Sequence, residues 1–375
     1  MRGGQNLVET SAVSFQVQGS QGGPLANQIV AFSLTTSVGG ITYGPITATT
    51  DANGRVSTAV QSGNVATSVV VIATLPGLGI STQSGRLVIS TGVPDQDSMT
   101  LSLETCNPEA LNYDGVAVPV TAYAADHFNN PVPDGVQFSF TAEGGIIEPT
   151  CSSVNGSCSV NWVSQNPKPD DGHATIMVSA IGAESFDDEN GNGVFDEGDF
   201  FDDQSEAYRD DSWTGAGSIG SRDAGEPYID LNINGIFDLP DNLYGGPYCE
   251  HATLCADIQG STVSAQRVMT LAGSNLTIDI DAPAPYTSGA SISVSISDIY
   301  GNTPPDGTTI EVALDNGELN GPASVTVAGC RREALTLNYS ATFDPEGDDG
   351  DGVLSITTTT PRGVVEFEQA ILSLQ

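Results

Sequence analysis

The stretch DHFNNPVPDGVQFSFTAEGG, residues 126 to 145, aligns without a gap on DIYGNTPPDGTTIEVALDNG, residues 298 to 317. A looser third copy, GGPLANQIVAFSLTTSVGG, occupies residues 22 to 40. Self-similarity at this scale means one structural unit used several times, so the chain has to solve the same folding problem in each copy. In the first two units a turn follows, TDANGRVSTAV (50 to 60) and SVNGSCSVNWV (153 to 163), where Asn-Gly supplies the positive φ angles of a tight hairpin. Runs such as SVVVIAT, ATIMVSA and VLSITTTT come next. Their period of two buries one face of a strand.

A chain of 375 residues has room for two to three domains, each with its own core. Abundant glycine and few aromatic residues accompany many short alternating runs, which describes an all-β protein. Six or seven strands per unit, with turn signals between them, predict immunoglobulin-like β-sandwiches. We expect three in tandem, at residues 1–94, 95–272 and 273–375. Units two and three each open with a strand, SMTLSLE and NLTIDID, ahead of VAVPVTAY and SISVSIS. Unit one starts almost directly at the equivalent of the latter, AVSFQVQ, so its opening strand is expected to be missing. That would leave an edge near residues 5 to 20 that frays or recruits a strand from elsewhere.

A Gly/Asn-Pro-rich turn, a V-x-F-S strand and T-D-A-N-G before the next strand resemble the bacterial immunoglobulin-like repeats of the invasin and intimin type. The resemblance covers most of the chain outside residues 183 to 256. It implies a rod of repeats, each packed on its neighbours, that holds a binding tip away from a bacterial cell surface. No outer-membrane barrel or lectin-like cap accompanies the repeats.

Asp and Glu outnumber Lys and Arg by 47 to 10, and Lys168 is the only lysine. Phosphate backbones and anionic headgroups are repelled by such a chain, so nucleic acid is excluded as a partner, whereas cations are attracted. The charge is concentrated. From Glu184 to Asp241 there are seventeen acidic residues against Arg209 and Arg222 alone. This segment lies in unit two where a sandwich needs only a short turn between its last two strands, so residues 183 to 256 read as an insertion.

ESFDDENGNGVFDEGD (184 to 199) aligns with EPYIDLNINGIFDLPD (226 to 241), and both carry the spacing of an EF-hand loop. Asp188, Asn190 and Asn192 fall at positions 1, 3 and 5, Gly193 at the bend, Val194 at the carbonyl position 7, and Asp196 and Asp199 at 9 and 12. The second copy places Asp230, Asn232, Asn234, Gly235, Ile236, Asp238 and Asp241 in the same order. Such spacing curls oxygen donors around one point, as a hard cation requires. A third copy, interrupted by residues 213 to 221, would use Asp210, Ser212, Asp223 and Glu226. The competing reading is a solvated acidic loop, which leaves unexplained why Phe186, Phe195, Tyr208, Tyr228 and Phe237 recur in step with the carboxylates. Aspartate at position 12 points to weak, extracellular calcium binding of about 10⁻⁴ to 10⁻³ M. The loops resemble the structural calcium loops of dockerins and thrombospondin type 3 repeats, which implies a metal-organised module and not a sensor.

Two close cysteine pairs, Cys151/Cys158 and Cys249/Cys255, look like disulfide clips made in an oxidising compartment. CEHATLC could also offer Cys249, His251 and Cys255 to zinc, but a disulfide is simpler. Of the remaining two cysteines, Cys106 follows the first strand of unit two and Cys330 precedes the fifth of unit three. Sandwich topology turns both toward the same joint, where they form an inter-unit disulfide or stay as two thiols. No apolar run suits a signal peptide or a transmembrane span. Disulfides without a leader imply a piece of a longer exported protein, or one whose leader has been removed. His127, His173 and His251 have no nucleophile motif beside them, so the chain does not read as an enzyme. What remains is an extracellular, adhesin-like rod segment rigidified by calcium and disulfides. The alternative is a calcium-dependent module that grips a glycan or a protein.

Overall fold

A computed structural model describes residues 10–63, 67–89, 92–212, 219–343 and 351–373. These residues form an all-β protein of immunoglobulin-like sandwiches. In the N-terminal sandwich, β1 (Thr10–Gln16), β2 (Ile29–Leu34), β3 (Thr42–Gly44), β4 (Thr47–Thr49) and β5 (Arg55–Gln61) precede β6 (Thr67–Val69), β7 (Val71–Leu75), β8 (Ile80–Gln83) and β9 (Leu87–Ile89). Its sheets run β1-β5-β3 and β4-β2-β7-β8, with β6-β9 alongside.

The middle sandwich comprises β10 (Met99–Leu103), β11 (Ala117–Ala124), β12 (Gln137–Ala142), β13 (Ile146–Ile147), β14 (Thr150–Ser152), β15 (Ser157–Val163), β16 (His173–Gly182) and, beyond the two-residue strands β17 (Phe186–Asp187) and β18 (Phe200–Phe201), β19 (Ser261–Thr270). Its sheets are β10-β11-β15-β13 and β14-β12-β16-β19. The C-terminal sandwich repeats that order with β20 (Thr277–Asp281), β21 (Ser291–Ser297), β22 (Thr309–Leu314), β23 (Glu318–Asn320), β24 (Ser324–Thr326), β25 (Leu335–Thr342), β26 (Gly352–Thr359) and β27 (Val365–Leu372), as β20-β21-β25-β23 and β24-β22-β26-β27.

The gapless repeat has one local cause. Asp126 Oδ1 accepts from Phe128 N and Asn130 N, and Asp298 Oδ1 accepts from Tyr300 N and Asn302 N, all at 2.9 to 3.0 Å. Each aspartate thus closes the turn that feeds the next strand, and the strand's alternate residues enter the core: Phe138 and Phe140 in one copy, Ile310 and Val312 in the other. The two Asn-Gly turns differ. Asn155 and Gly156 are both left-handed, as expected, but at Asn53-Gly54 only the glycine is. There the Asp51 carboxylate accepts from Asn53 N and Arg55 N at 2.8 Å, so the asparagine can keep an ordinary conformation.

In the second and third sandwiches β10 and β20 cover the outer edges of β11 and β21. Among the described residues no strand covers the equivalent edge of β1. Residues 5 to 9 of the expected frayed segment lie outside the described residues. The consequence is a thinner core, because Met99 and Leu101 from β10, and Ile278 from β20, have no described counterpart in the first sandwich.

The second core centres on Trp162, fully buried, whose Nε1 donates to Gly144 O at 2.7 Å. All six cysteines are paired: Cys151–Cys158, Cys249–Cys255 and Cys106–Cys330. The last joins the second sandwich to the third. Beside it Glu109, 7% exposed, accepts Ser274 Oγ and Thr360 Oγ1 at 2.8 Å and Arg362 N at 2.9 Å. No helix among the described residues is long and apolar enough to cross a membrane.

Candidate metal centre in the acidic insertion

Gly182 and Ser261 are paired across β16 and β19, so the insertion leaves and re-enters the sheet at neighbouring points and runs from 183 to 260. Its exit lies against the start of the second sandwich. Ala183 N donates to Pro94 O at 2.9 Å and Gln96 N to Ala183 O at 3.1 Å. A Cβ on Gly182 would lie 2.1 Å from Pro94 O, so only glycine permits this approach. The insertion therefore stands beside the segment that joins the first two sandwiches.

Aromatic residues gather here in two clusters. Phe186, Phe195 and Tyr244 are buried together, with Phe201 and the Cys249–Cys255 clip packed on them. His127 of the sandwich stacks on Phe186 at 4.1 Å, and His251 on Phe195 at 5.6 Å. His251 is thus occupied in packing, with Nδ1 accepting from Thr253 N and Leu254 N, and zinc has no role to play with disulfide-bonded Cys249 and Cys255. In the second cluster Tyr208 and Tyr228 meet the Phe237 ring edge-on, and the Arg222 guanidinium lies 4.7 Å from the Tyr228 ring centre.

Around these clusters the three predicted loops share one bonding frame. In the first, Asp188 Oδ2 accepts from Gly193 N at 2.8 Å, while Asp199 accepts from Glu189 N at 3.0 Å and Asp196 N at 2.9 Å. The carboxylate at position 1 thus holds the bend, and the one at position 12 clamps the N–H groups of positions 2 and 9. Asn190 and Asn192 donate their amide groups to the two Asp196 oxygens at 2.9 and 2.6 Å. Val194 N donates to Asn192 Oδ1 at 2.9 Å.

The second loop repeats this with one substitution. Asp230 Oδ2 accepts from Gly235 N at 2.7 Å, Asn232 and Asn234 donate to Asp238 Oδ2 at 2.6 and 2.7 Å, and Ile236 N donates to Asn234 Oδ1 at 2.7 Å. The clamp, however, is Glu206: it accepts from Leu231 N at 2.8 Å and Asp238 N at 3.1 Å, the equivalents of positions 2 and 9. Asp241, which the spacing places at position 12, lies outside the frame. Its Oδ1 accepts from Leu243 N, and its own N donates to Asp203. Glu206 reaches the loop because Glu206 N bonds Asp238 O and Ile229 N bonds Ala207 O, pairing two segments distant in sequence.

The third loop is assembled across its interruption. Asp210 Oδ2 accepts from Gly220 N at 3.0 Å, and Glu226 accepts from Asp211 N at 2.9 Å and Asp223 N at 2.8 Å. Ser212 Oγ donates to Asp210 Oδ1 at 2.9 Å. The numbering runs 1 to 3 at residues 210 to 212 and resumes at position 6 with Gly220, which the sequence pattern did not single out. Residues 213 to 218 of the interruption lie outside the described residues. The loop is fastened to the sandwich through Thr175 Oγ1 on Asp210 O and Asp210 N on Gln266 Oε1.

Among the described residues no three His, Cys, Asp or Glu side chains gather into a ready-made metal cage. The loop centres instead mix carboxylates with amides, and amide N–H groups neutralise the carboxylates from inside. This donor set is all oxygen once the asparagines present Oδ1, which suits a hard cation and not zinc. Burial raises the carboxyl pKa of Glu184, against the opposing effect of its bonds from Gly245 N and Gln204 N, with Asp203 and Asp241 adding to the rise. Burial, Asp95 and Asp202 likewise raise Asp97. Acids crowded in this way are short of positive charge.

No protein-family model matches the sequence, and no curated protein matches it. Solved structures similar to it include the D0–D1 domain of intimin (17% identity over 46% of this chain and 82% of that one, TM-score 0.23). Others are FdeC, an Escherichia coli adhesin (13%, 98% and 92%, 0.27), and the Yersinia pseudotuberculosis adhesin InvE (14%, 75% and 60%, 0.22). Scores of this size mean that the whole chains do not superimpose, and no residue role is transferred from them.

Proposed function

We propose that this chain is a rod segment of a bacterial cell-surface or secreted adhesin-like protein, built of three sandwich units divided near residues 94 and 272, in which calcium folds the acidic insertion. The observation that carries the calcium reading is the frame common to the three loops, down to a carboxylate clamping positions 2 and 9. Asp188, Asn190, Asn192, Val194, Asp196 and Asp199 would hold one ion. Asp230, Asn232, Asn234, Ile236, Asp238 and Glu206 would hold a second, and Asp210, Ser212, Asp223 and Glu226 a third. Calcium supplies the positive charge that seventeen acids and two arginines lack, so its binding energy becomes local folding energy. Because the insertion rests on Pro94 and Gln96, ordering it stiffens the joint between the first two units.

Limited proteolysis tests this. In chelator, cleavage is expected between residues 183 and 245. In millimolar calcium that region is spared, calorimetry registers at least two ions, and the sandwiches stay folded in both conditions. Identical cleavage with no heat of binding would overturn the reading.

A calcium-dependent glycan- or protein-binding module is kept as the second reading by one feature of the second loop. Ile233, Ile236 and Leu239 are 88%, 64% and 72% exposed, and Ile233 adopts φ 59°, a left-handed conformation unfavourable for a β-branched residue. The position is Gly191 in the first loop. Ile233→Gly relaxes the backbone by about 1–2 kcal/mol, so a rod keeps or gains calcium affinity. A binding module loses retention on a glycan array or on cells despite intact calcium binding.

A further inference from the structure

Loops two and three are nested. Chain order runs from Glu206, which clamps loop two, through loop three (Asp210 to Glu226) to the body of loop two (Asp230 to Asp238). Loop three therefore lies between loop two and the clamp of loop two. Loop one is self-contained, because Asp199 clamps Glu189 N and Asp196 N from inside the same stretch.

The connectors 206–210 and 226–230 pair as a short antiparallel ladder. Tyr208 bridges Tyr228, Arg209 N donates to Pro227 O at 2.9 Å, and Ile229 N donates to Ala207 O at 2.8 Å. One residue further at each end, that register sets Asp210 opposite Glu226 and Glu206 opposite Asp230. Each of these pairs joins the position-1 carboxylate of one loop to the clamp of the same loop. A single ladder thus brings together the two ends of both sites. Phe237 of loop two packs edge-on against Tyr208 and Tyr228 at the ladder's centre. From the sandwich, the Gln266 side chain holds the 208–210 strand: Oε1 accepts from Asp210 N at 3.0 Å and Nε2 donates to Tyr208 O at 2.8 Å. Asp210 is 1% and Glu226 7% exposed, whereas Ile233 and Ile236 of loop two face solvent. Loop three is the anchored member of the pair and loop two the outer one.

We infer that loops two and three take up calcium as a coupled pair while loop one binds on its own, an inference that rests on the calcium reading above. The physical reason is loop closure. Without the ladder, bringing Glu206 to Asp238 closes a separation of 32 residues. With the ladder formed, Glu206 stands opposite Asp230, and only the eight steps from Asp230 to Asp238 remain. The entropic cost of closure grows with the logarithm of loop length, and this fourfold shortening is worth about eightfold in affinity. Calcium in loop three secures the ladder, because the ion draws Asp210 and Glu226 together at one end of it. Linkage makes the effect mutual, so calcium in loop two tightens loop three by the same factor. Loop one stands apart: its Phe195 packs with Phe186 and Tyr244 in the other aromatic cluster.

The full chain, stripped of metal with chelator and titrated with calcium chloride, tests this by calorimetry and by NMR of three amides. Gly193, Gly220 and Gly235 each donate to the position-1 carboxylate of their own loop, so each reports one site. In the wild-type chain the Gly220 and Gly235 signals are expected to move together along one steep curve, and Gly193 along a separate one. E226Q, which changes no residue of loop two, is expected to weaken the Gly235 titration at least about fivefold. Gly193 and the melting of the sandwiches should stay as they were. A Gly235 curve that E226Q leaves unchanged overturns the coupling. Equal weakening at Gly193 overturns the pairing in favour of one folding unit for the whole insertion. Calcium bound at three independent sites defeats the coupling alone, whereas no heat and no shift in the wild-type chain defeats the calcium reading itself.

Discussion

The second sandwich and the insertion that grows from it are made by the same chain yet held by different forces. In the sandwich, Leu101, Val120, Phe138, Trp162, Ile176 and Met269 are at most 2% exposed, and period-two strands place them there. Burial of that kind hardly responds to ions or to pH. The insertion buries only Ala183, Phe186, Phe195 and Tyr244 in its main cluster, and its loops are organised by carboxylates accepting backbone N–H groups. One region carries its own driving force. The other holds a geometry with an excess of negative charge, which the proposed calcium would offset.

The largest effect that separates them is a cavity in the sandwich. Trp162→Ala removes the centre of the core and the bond to Gly144 O, at a cost of about 3–5 kcal/mol. Thermal unfolding of the second sandwich should show the same loss with and without calcium. A loss that calcium restores would mean that the two regions fold as one unit.

Glu206→Gln acts on the other side of the comparison. The variant keeps the size of the side chain but loses the carboxylate that clamps Leu231 N and Asp238 N. One calcium site is expected to weaken by at least about tenfold, with the sandwich melting unchanged. Asp241→Asn should leave that site as it was. The reverse result would return position 12 to the residue that linear spacing selects.

That pair of variants marks where sequence reasoning reaches its limit. The sandwiches were legible because their signals are local: alternation within a strand, an aspartate closing its own turn at Asp126 and Asp298, and a gapless repeat. Loops one and two were legible for the same reason, since Asp188 to Asp199 and Asp230 to Asp238 are consecutive. Glu206 was not, because it is brought to Asp238 by pairing between segments 32 residues apart. Gly220 was hidden by the interruption, although it bonds Asp210 just as Gly193 bonds Asp188. The Cys106–Cys330 link was one of two outcomes that topology left open, because topology fixes which turns face one joint but not whether the two sulfurs meet.

The smallest expected effect lies on the boundary between the two regions. Glu143, at the end of β12, accepts from Thr175 N, and the Thr175 hydroxyl holds Asp210 O of the third loop. Burial pushes its pKa up to about 7, opposed by the bond from Thr175 N, with Asp211 and Asp171 adding to the rise. A carboxyl whose folded pKa is raised binds its proton more tightly in the native state. Its contribution to stability is therefore fully present below the ordinary value of 4.5 and is lost as pH rises from there through about 7. Because the side chain is only half-buried, water screens much of this, and the change in melting temperature is expected to be small. The titration itself is the sharper readout. In chelator, the Glu143 carboxyl carbon should shift in NMR with a midpoint near 7, and calcium in the third loop should draw that midpoint down, because a nearby cation favours the charged form. Calcium binding near neutral pH would then release protons. A midpoint in the ordinary glutamate range without calcium would remove the effect of burial, and a midpoint that calcium leaves unmoved would show that the sandwich and the third loop are not electrostatically coupled at this contact.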